Sequence, residues 1–252
     1  LVEAQEVFDK LPGQDTSTWN SLISGYSQYG HSERALNCFK CMQYNSVRPD
    51  GATFVCILNA CSIITDFEKG VEIHSEIEQK ELLKMSQNLG NALVNMYAKY
   101  GMMEEAQNVF DRLLIYDLSS WNSLVSGYAR SGCEEKALSC LNDIQIQGFF
   151  PDAVTMVSTL KACGNIGALE RGKKIHLHAK EKGLLKTNQL VGNALVDMYT
   201  KCGMLESANQ VFETLPDPTI VTWTTLITGY AQLGQIENAL WVLESMIGEG
   251  IE

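Results

Sequence analysis

Three groups of residues in this sequence have types and spacings that chemistry could use. Cys38 and Cys41 form a C-x-x-C pair, the spacing of half a zinc site or of a redox-active dithiol. His74, Ser75 and Glu76 match the H-x-E of zinc-dependent deaminases, in which the glutamate moves protons. Trp19, Trp121 and Trp223 are broad aromatic faces of the kind on which a nucleobase stacks. Context takes the chemistry away from each. The residues in register with the cysteine pair are Cys140 and Asp143, and no second pair lies nearby, so packing is the expected role. No P-C-x-x-C follows His74, and its counterpart in register is His176-Leu177-His178, which lacks the glutamate. The tryptophans stand at helical spacing with Leu and Tyr and are expected in a core. Cys61 and Cys163 recur in register as small core residues, and eight cysteines are too dilute in 252 residues for a disulfide scaffold. No catalytic constellation, metal site or cofactor motif remains, so the chain is not expected to be an enzyme.

The register that decides these cases is a repeat. Trp19, Trp121 and Trp223 are each 102 residues apart (121 − 19 and 223 − 121), and 46 of the 102 positions from residue 16 onwards are identical one period later. The period divides into units of 35, 36 and 31 residues: 16–50, 51–86 and 87–117, then 118–152, 153–188 and 189–219 with the same lengths. Residues 1–15 read as the tail of a preceding unit and 220–252 as a further unit cut just before its expected end. Within a unit, Trp19, Leu22, Ile23 and Tyr26 recur at i, i+3, i+4 and i+7, and Ala35, Leu36, Phe39 and Met42 repeat the pattern, which predicts two helices. Gly30, Gly101, Gly132, Gly203 and Gly234 suit the position just past a helix end, where a left-handed backbone costs glycine little. Hairpins of this size bury a core only against their neighbours. The expected fold is therefore all-α, an α-solenoid superhelix of stacked helical hairpins with a long concave face. No run approaches the roughly 20 apolar residues of a membrane span, and the first residues lack the order of a signal peptide, so a soluble chain without a membrane partner is expected.

Trp19, Leu22, Gly25 and Tyr26 partly imitate a tetratricopeptide repeat, but the glycine is displaced and a fixed period of about 34 residues fails. The sequence instead resembles the pentatricopeptide repeat family, PLS subclass. TWNSLISGY with RPD is similar to a P unit, ILNACS with GVEIH to an L unit, and LGNALVNMYAKYG with AQNVFD to an S unit. On that resemblance 1–15 is a partial S-type repeat, 16–50 P-type, 51–86 L-type, 87–117 S-type, 118–152 P-type, 153–188 L-type, 189–219 S-type and 220–252 a truncated P-type repeat.

The resemblance implies binding of single-stranded RNA at roughly one base per repeat. It makes the fifth and last residues of each unit the base readers: Asn20 with Asp50, Asn91 with Asp117 and Asn122 with Asp152 for U, Asn193 with Thr219 for a pyrimidine, and Thr224 for a purine. An amide offers donors and an acceptor to a Watson–Crick edge while a carboxylate only accepts. The alternative for these pairs is that the Asp caps the following helix and the Asn is merely polar. The L units place Val55 with Ser86 and Val157 with Asn188, weak readers because valine cannot hydrogen-bond. Val154, Leu190 and Val221, at second positions, are implied to sandwich bases; Ser17, Ala52, Asn88 and Ser119 suit that role poorly. The implied site reads U, any, U, U, any, pyrimidine, purine. The family also implies an organellar RNA-processing or C-to-U editing specificity factor in a mitochondrion or chloroplast, and small editing-factor proteins docking on L-type repeats. The rival expectations are a protein-binding helical-repeat scaffold and an enzyme whose deaminase domain lies past Glu252.

A net charge of −11 opposes RNA. The first helices run against the total: from the third to the fourteenth position of each unit the charged residues are Lys99, Arg130, Lys161 and Lys201 against Asp197 alone. Lys99, Arg130 and Lys201 are the expected phosphate contacts. Much of the acidity falls at Glu33, Glu68, Glu104, Glu134, Glu170, Glu206 and Glu237, near the starts of the second helices, where a carboxylate complements the helix dipole.

Overall fold

The structure, a computed structural model, describes residues 2–84 and 86–251, the side chain of Lys84 excepted. Leu1, Met85 and Glu252, which fall in the expected partial S-type, L-type and truncated P-type repeats, lie outside the described residues. The described residues are helical, with no strand among them. They form two compact units, 1–127 and 128–252, each a stack of helical hairpins.

The first unit contains α1 (Val2–Asp9), α2 (Thr16–Gln28), α3 (Ser32–Tyr44), α4 (Gly51–Ile64), α5 (Phe67–Gln79), a 3-10 turn at Leu82–Lys84, α6 (Gln87–Lys99), α7 (Met103–Asp111) and most of α8 (Leu118–Arg130). Here α2, α4 and α6 pack in succession to make one layer, and α3, α5 and α7 pack behind them as the other. The second unit takes the end of α8 and continues with α9 (Glu134–Ile146), α10 (Ala153–Ile166), α11 (Leu169–Glu181), the short α12 (Leu184–Thr187), α13 (Gln189–Lys201), α14 (Leu205–Thr214), α15 (Ile220–Gln232) and α16 (Ile236–Gly248). Its front row is α10, α13 and α15. The 3-10 turn and α12 are not predicted by the two-helix pattern. Both stand in the tail of a 36-residue unit, where Leu185 is buried and gives the extra turn its anchor.

Local chemistry explains the breaks. Gly30, Gly101, Gly132, Gly203 and Gly234 have φ of 77°, 75°, 71°, 74° and 74°, the left-handed region just past the first helices of the 35- and 31-residue units, and Thr65 and Gly167 end α4 and α10 with φ of 56° and 67°. Glu33, Glu68, Glu104, Glu134, Glu170, Glu206 and Glu237 all lie in the first turn of a second helix.

The core repeats as the sequence does. Trp19, Trp121 and Trp223 are buried, and each meets a phenylalanine edge to face: Phe8, Phe110 and Phe212, with ring centroids 4.6, 4.5 and 4.6 Å apart. Cys61 and Cys163 are buried, and burial pushes their thiols up to about 12 and about 11. The expectation of packing for the C-x-x-C pair is met by half-buried Cys38 but not by Cys41, which is exposed because it lies off the Ala35, Leu36, Phe39 and Met42 stripe of α3. His74 and His176 each contact a tyrosine hydroxyl through Nδ1, Tyr97 at 2.8 Å and Tyr199 at 2.9 Å, tying each second helix to the next first helix. Among the described residues no helix is long and apolar enough to cross a membrane.

Candidate nucleic-acid interface

The seven first helices of full or partial units start at Thr16, Gly51, Gln87, Leu118, Ala153, Gln189 and Ile220, which are the first residues of the units counted on the sequence. That common start places equivalent positions at equivalent points of the helices. The second residues, Ser17, Ala52, Asn88, Ser119, Val154, Leu190 and Val221, are exposed in all seven, whereas the fourth residues of the three tryptophan units are core. Val154, Leu190 and Val221 are 51%, 66% and 59% exposed, unusual for aliphatic side chains on well-packed helices.

Three of the expected pairs are joined by a hydrogen bond. Asn20 Nδ2 donates to Asp50 Oδ1 at 3.0 Å, Asn91 Nδ2 to Asp117 Oδ2 at 2.8 Å, and Asn193 Nδ2 to Thr219 Oγ1 at 3.3 Å. The last residue also caps the next helix. Asp50 Oδ1 accepts the Thr53 N–H at 2.9 Å in a capping box, Asp117 Oδ1 accepts from Ser120 at 2.8 Å, Asp152 Oδ1 from Thr155 at 2.9 Å, and Thr219 Oγ1 from Thr222 at 3.3 Å. Capping therefore coexists with the pairing and does not replace it: Asp50 Oδ1 and Thr219 Oγ1 each take both contacts, while Asp117 caps with Oδ1 and pairs with Oδ2. Asp50 Oδ2 makes no hydrogen bond among the described residues. Partial burial works against the Asp50 charge, but the Thr53 N–H, the Asn20 amide and the Thr53 hydroxyl outweigh it and hold the carboxyl below the ordinary carboxylate value. Asp117 is lowered against the same burial by Ser120 and Asn91. Both are anionic acceptors at neutral pH.

An open cleft of about 560 Å³ lies at the first pair. Asn20 and Asp50 form part of its lining, Ser17 and Ala52 flank it from successive second positions, and Ser21, Ser24 and Cys56 complete the polar wall. Sequence reasoning singled out neither these three nor the third residues of the following units. Thr53 donates to Asn20 Oδ1 at 2.6 Å and Thr222 to Asn193 Oδ1 at 2.7 Å. Their signal is the threonine that stands three residues after each cap.

The remaining expected residues differ in what they offer. Asn122 is half-buried on α8. Thr224 is exposed, but its hydroxyl is turned back onto the carbonyls of Ile220 and Val221 at 2.8 and 3.1 Å. In the longer units Val55 and Val157 are half-buried, Ser86 starts α6 without a side-chain cap, and Asn188 caps α13 through the Leu190 and Val191 N–H groups. Lys99 and Arg130 are exposed, with Lys99 Nζ 3.4 Å from Ser62 Oγ. Lys201 is ion-paired with Asp197 at 2.8 Å and also donates to Asn165, so part of its charge is already compensated.

Comparison with known proteins shows the family. A PPR repeat family profile matches residues 14–62, and a PPR repeat profile matches residues 91–116, 119–149, 193–216 and 221–251. The chain belongs to the pentatricopeptide repeat (PPR) family. A pentatricopeptide repeat-containing protein of Arabidopsis thaliana is 38% identical over 254 residues, covering 100% of this chain and 34% of its own length. A mitochondrial one from the same plant is 34% identical over 248 residues, 98% of this chain and 24% of its own, and a chloroplastic one is 35% identical over 252 residues, 100% and 40%. The chain thus spans between 24% and 40% of the length of these relatives. Among solved structures, the pentatricopeptide repeat protein PPR10 in complex with an 18-nt psaJ RNA element superposes with a TM-score of 0.82 at 22% identity, over 95% of this chain and 36% of that one. At that identity the likeness establishes the fold.

Proposed function

We propose that this chain binds single-stranded RNA in a sequence-specific manner, about one base per repeat, as the recognition array of an organellar RNA-processing factor of the C-to-U editing type. The repeats are P, L and S units with the boundaries counted on the sequence. The cleft at Asn20 and Asp50 carries the reading: a fixed amide, an anionic acceptor and two exposed flanking positions meet in one space open to solvent. A base edge entering there meets an N–H donor and carboxylate acceptors, while the residues at successive second positions approach its faces. The equivalent pairs Asn91 with Asp117 and Asn193 with Thr219 support repetition of the same device. PPR10, which shares the fold, was solved with RNA bound, and relatives named mitochondrial and chloroplastic support the organellar setting.

In this reading Lys99, Arg130 and Lys201 contact phosphates, and Val154, Leu190 and Val221 sandwich bases. The net charge of −11 favours one rival, a protein-binding groove that would accommodate a peptide or a small editing-factor protein on the L units. Gel-shift titration separates the two. RNA carrying U, any, U, U, any, pyrimidine, purine is expected to bind at least about tenfold more tightly than a scrambled sequence of the same composition, one lost base contact being worth about 1–3 kcal/mol. Equal binding of the two RNAs would remove base reading.

A further inference from the structure

We infer that the third residue of the following repeat is a positioning residue for the base-reading asparagine, so that repeats sharing the same Asn and Asp letters differ in how sharply they read. The inference rests on the RNA-reading proposed above and adds a residue class to it.

The argument begins with the amide. A carboxylate only accepts hydrogen bonds, so Asn20 must turn its NH2 towards Asp50, which leaves its Oδ1 facing the other way. That side is occupied by Thr53, fully buried, whose hydroxyl accepts the Asp50 N–H at 3.1 Å and has its nearest acceptor in Asn20 Oδ1 at 2.6 Å, closer than Asp50 Oδ1 at 3.0 Å. Both ends of the amide are then held. The same lock recurs in the other compact unit: Thr222 is fully buried, accepts the Thr219 N–H at 3.0 Å and donates to Asn193 Oδ1 at 2.7 Å.

At Asn91 the lock is open. Ser120 occupies the equivalent position, is equally buried and accepts the Asp117 N–H at 3.2 Å, but its proton goes to the Asp117 carbonyl at 2.8 Å. Asn91 Oδ1 is left buried without a hydrogen-bond partner. Its NH2 must also share Asp117 Oδ2 with the Gln87 amide, which donates at 2.9 Å. A serine lacks the β-branch that stiffens threonine at χ1. A locked amide shows a base one remaining N–H and one remaining lone pair in a fixed order. An unlocked amide is tethered only through its NH2 on the carboxylate and can swing about that bond, so its remaining N–H is shown to a base less sharply.

The 252-residue chain is titrated by fluorescence anisotropy with single-stranded RNAs of the order proposed above, varied only at the first base, read by Asn20, or the third, read by Asn91. Wild type is expected to discriminate U from the other bases about fivefold more sharply at the first position than at the third, the factor that one neutral hydrogen bond supplies. Equal discrimination at the two positions overturns the inference. Thr53→Val should lower discrimination at the first base by about fivefold with the other positions unchanged, and Thr53→Ser, which keeps the hydroxyl but lacks the β-branch as Ser120 does, should fall between valine and wild type; a valine variant that still discriminates fully overturns the lock. Should the valine variant fail to fold for want of its capping box, Ser120→Thr decides, with sharper reading at the third base expected and unchanged reading overturning the idea. A wild type without preference at either base overturns the lock by removing the RNA-reading beneath it, and is told apart because it shows with no substitution at all.

Discussion

At the residue scale, Asp50 does two jobs with one carboxylate, and they can be separated. Asparagine caps helices about as well as aspartate, but it brings an N–H where the carboxylate offers only acceptors. Asp50→Asn is therefore expected to leave stability within about 0.5 kcal/mol of wild type while abolishing the preference for U at the first base, whereas Asp50→Ala loses about 1 kcal/mol of stability as well. Thermal melts beside anisotropy titrations of both variants check this, and a U preference that survives Asp50→Asn would assign the residue to capping alone. The lowered Asp50 carboxyl has a consequence in acid. A depressed folded value contributes stability that is present above the unfolded carboxylate value of about 3.9 and is lost as pH falls through the folded one, and Asp50→Asn should remove that share of the acid sensitivity.

At the element scale, the joints between hairpins rest on the His74–Tyr97 and His176–Tyr199 contacts. Burial lowers both histidines; for His74 the nearby Glu78 works in the opposite direction and Arg112 in the same one, and for His176 Lys180 adds to the lowering. The sign follows. Between the lowered folded value and the unfolded value of about 6.5 the unfolded chain binds more protons, so stability falls as pH drops below about 6.5. Urea unfolding at pH 7.5 and 5.5 is expected to show wild type weaker in acid, with the difference reduced in the double variant His74→Gln, His176→Gln. Greater wild-type stability at pH 5.5 would contradict the buried neutral rings. Tyr97→Phe should cost about 0.5–1.5 kcal/mol at pH 7.5, the ordinary worth of one hydrogen bond.

For the whole molecule, the decisive quantity is where charge sits rather than its total of −11. The acidic groups cluster at the starts of the second helices, while Lys99, Arg130 and Lys161 lie exposed on first helices and Lys201 is offset by Asp197. Few phosphates can then be neutralised. The slope of log affinity against log salt is expected to be no steeper than about −2, since each neutralised phosphate of a single strand contributes about 0.7. Lys99→Glu should weaken every RNA by a similar factor and flatten that slope by about 0.7–1, because a phosphate contact carries no base information. A change in sequence preference instead would place α6 differently in the complex.

Much of this was already decided by the linear order of residues. The 102-residue self-match sets the first-helix starts, the glycines with positive φ, the tryptophan–phenylalanine core and the exposed second positions, because each depends on local periodicity repeated in register. Val154 and Trp223 are assigned opposite environments by their count within a unit alone. The extra turn at Leu184–Thr187 was not readable that way, since it depends on how neighbouring helices close over Leu185. Nor was the difference between Asn20 and Asn91, which carry the same letters in the same register. Only tertiary structure decides whether the hydroxyl three residues past the cap turns to the amide, as in Thr53, or to its own backbone, as in Ser120. A hydrogen bond between residues some thirty positions apart is set by rotamer and by fractions of an ångström, and no one-letter pattern carries that orientation.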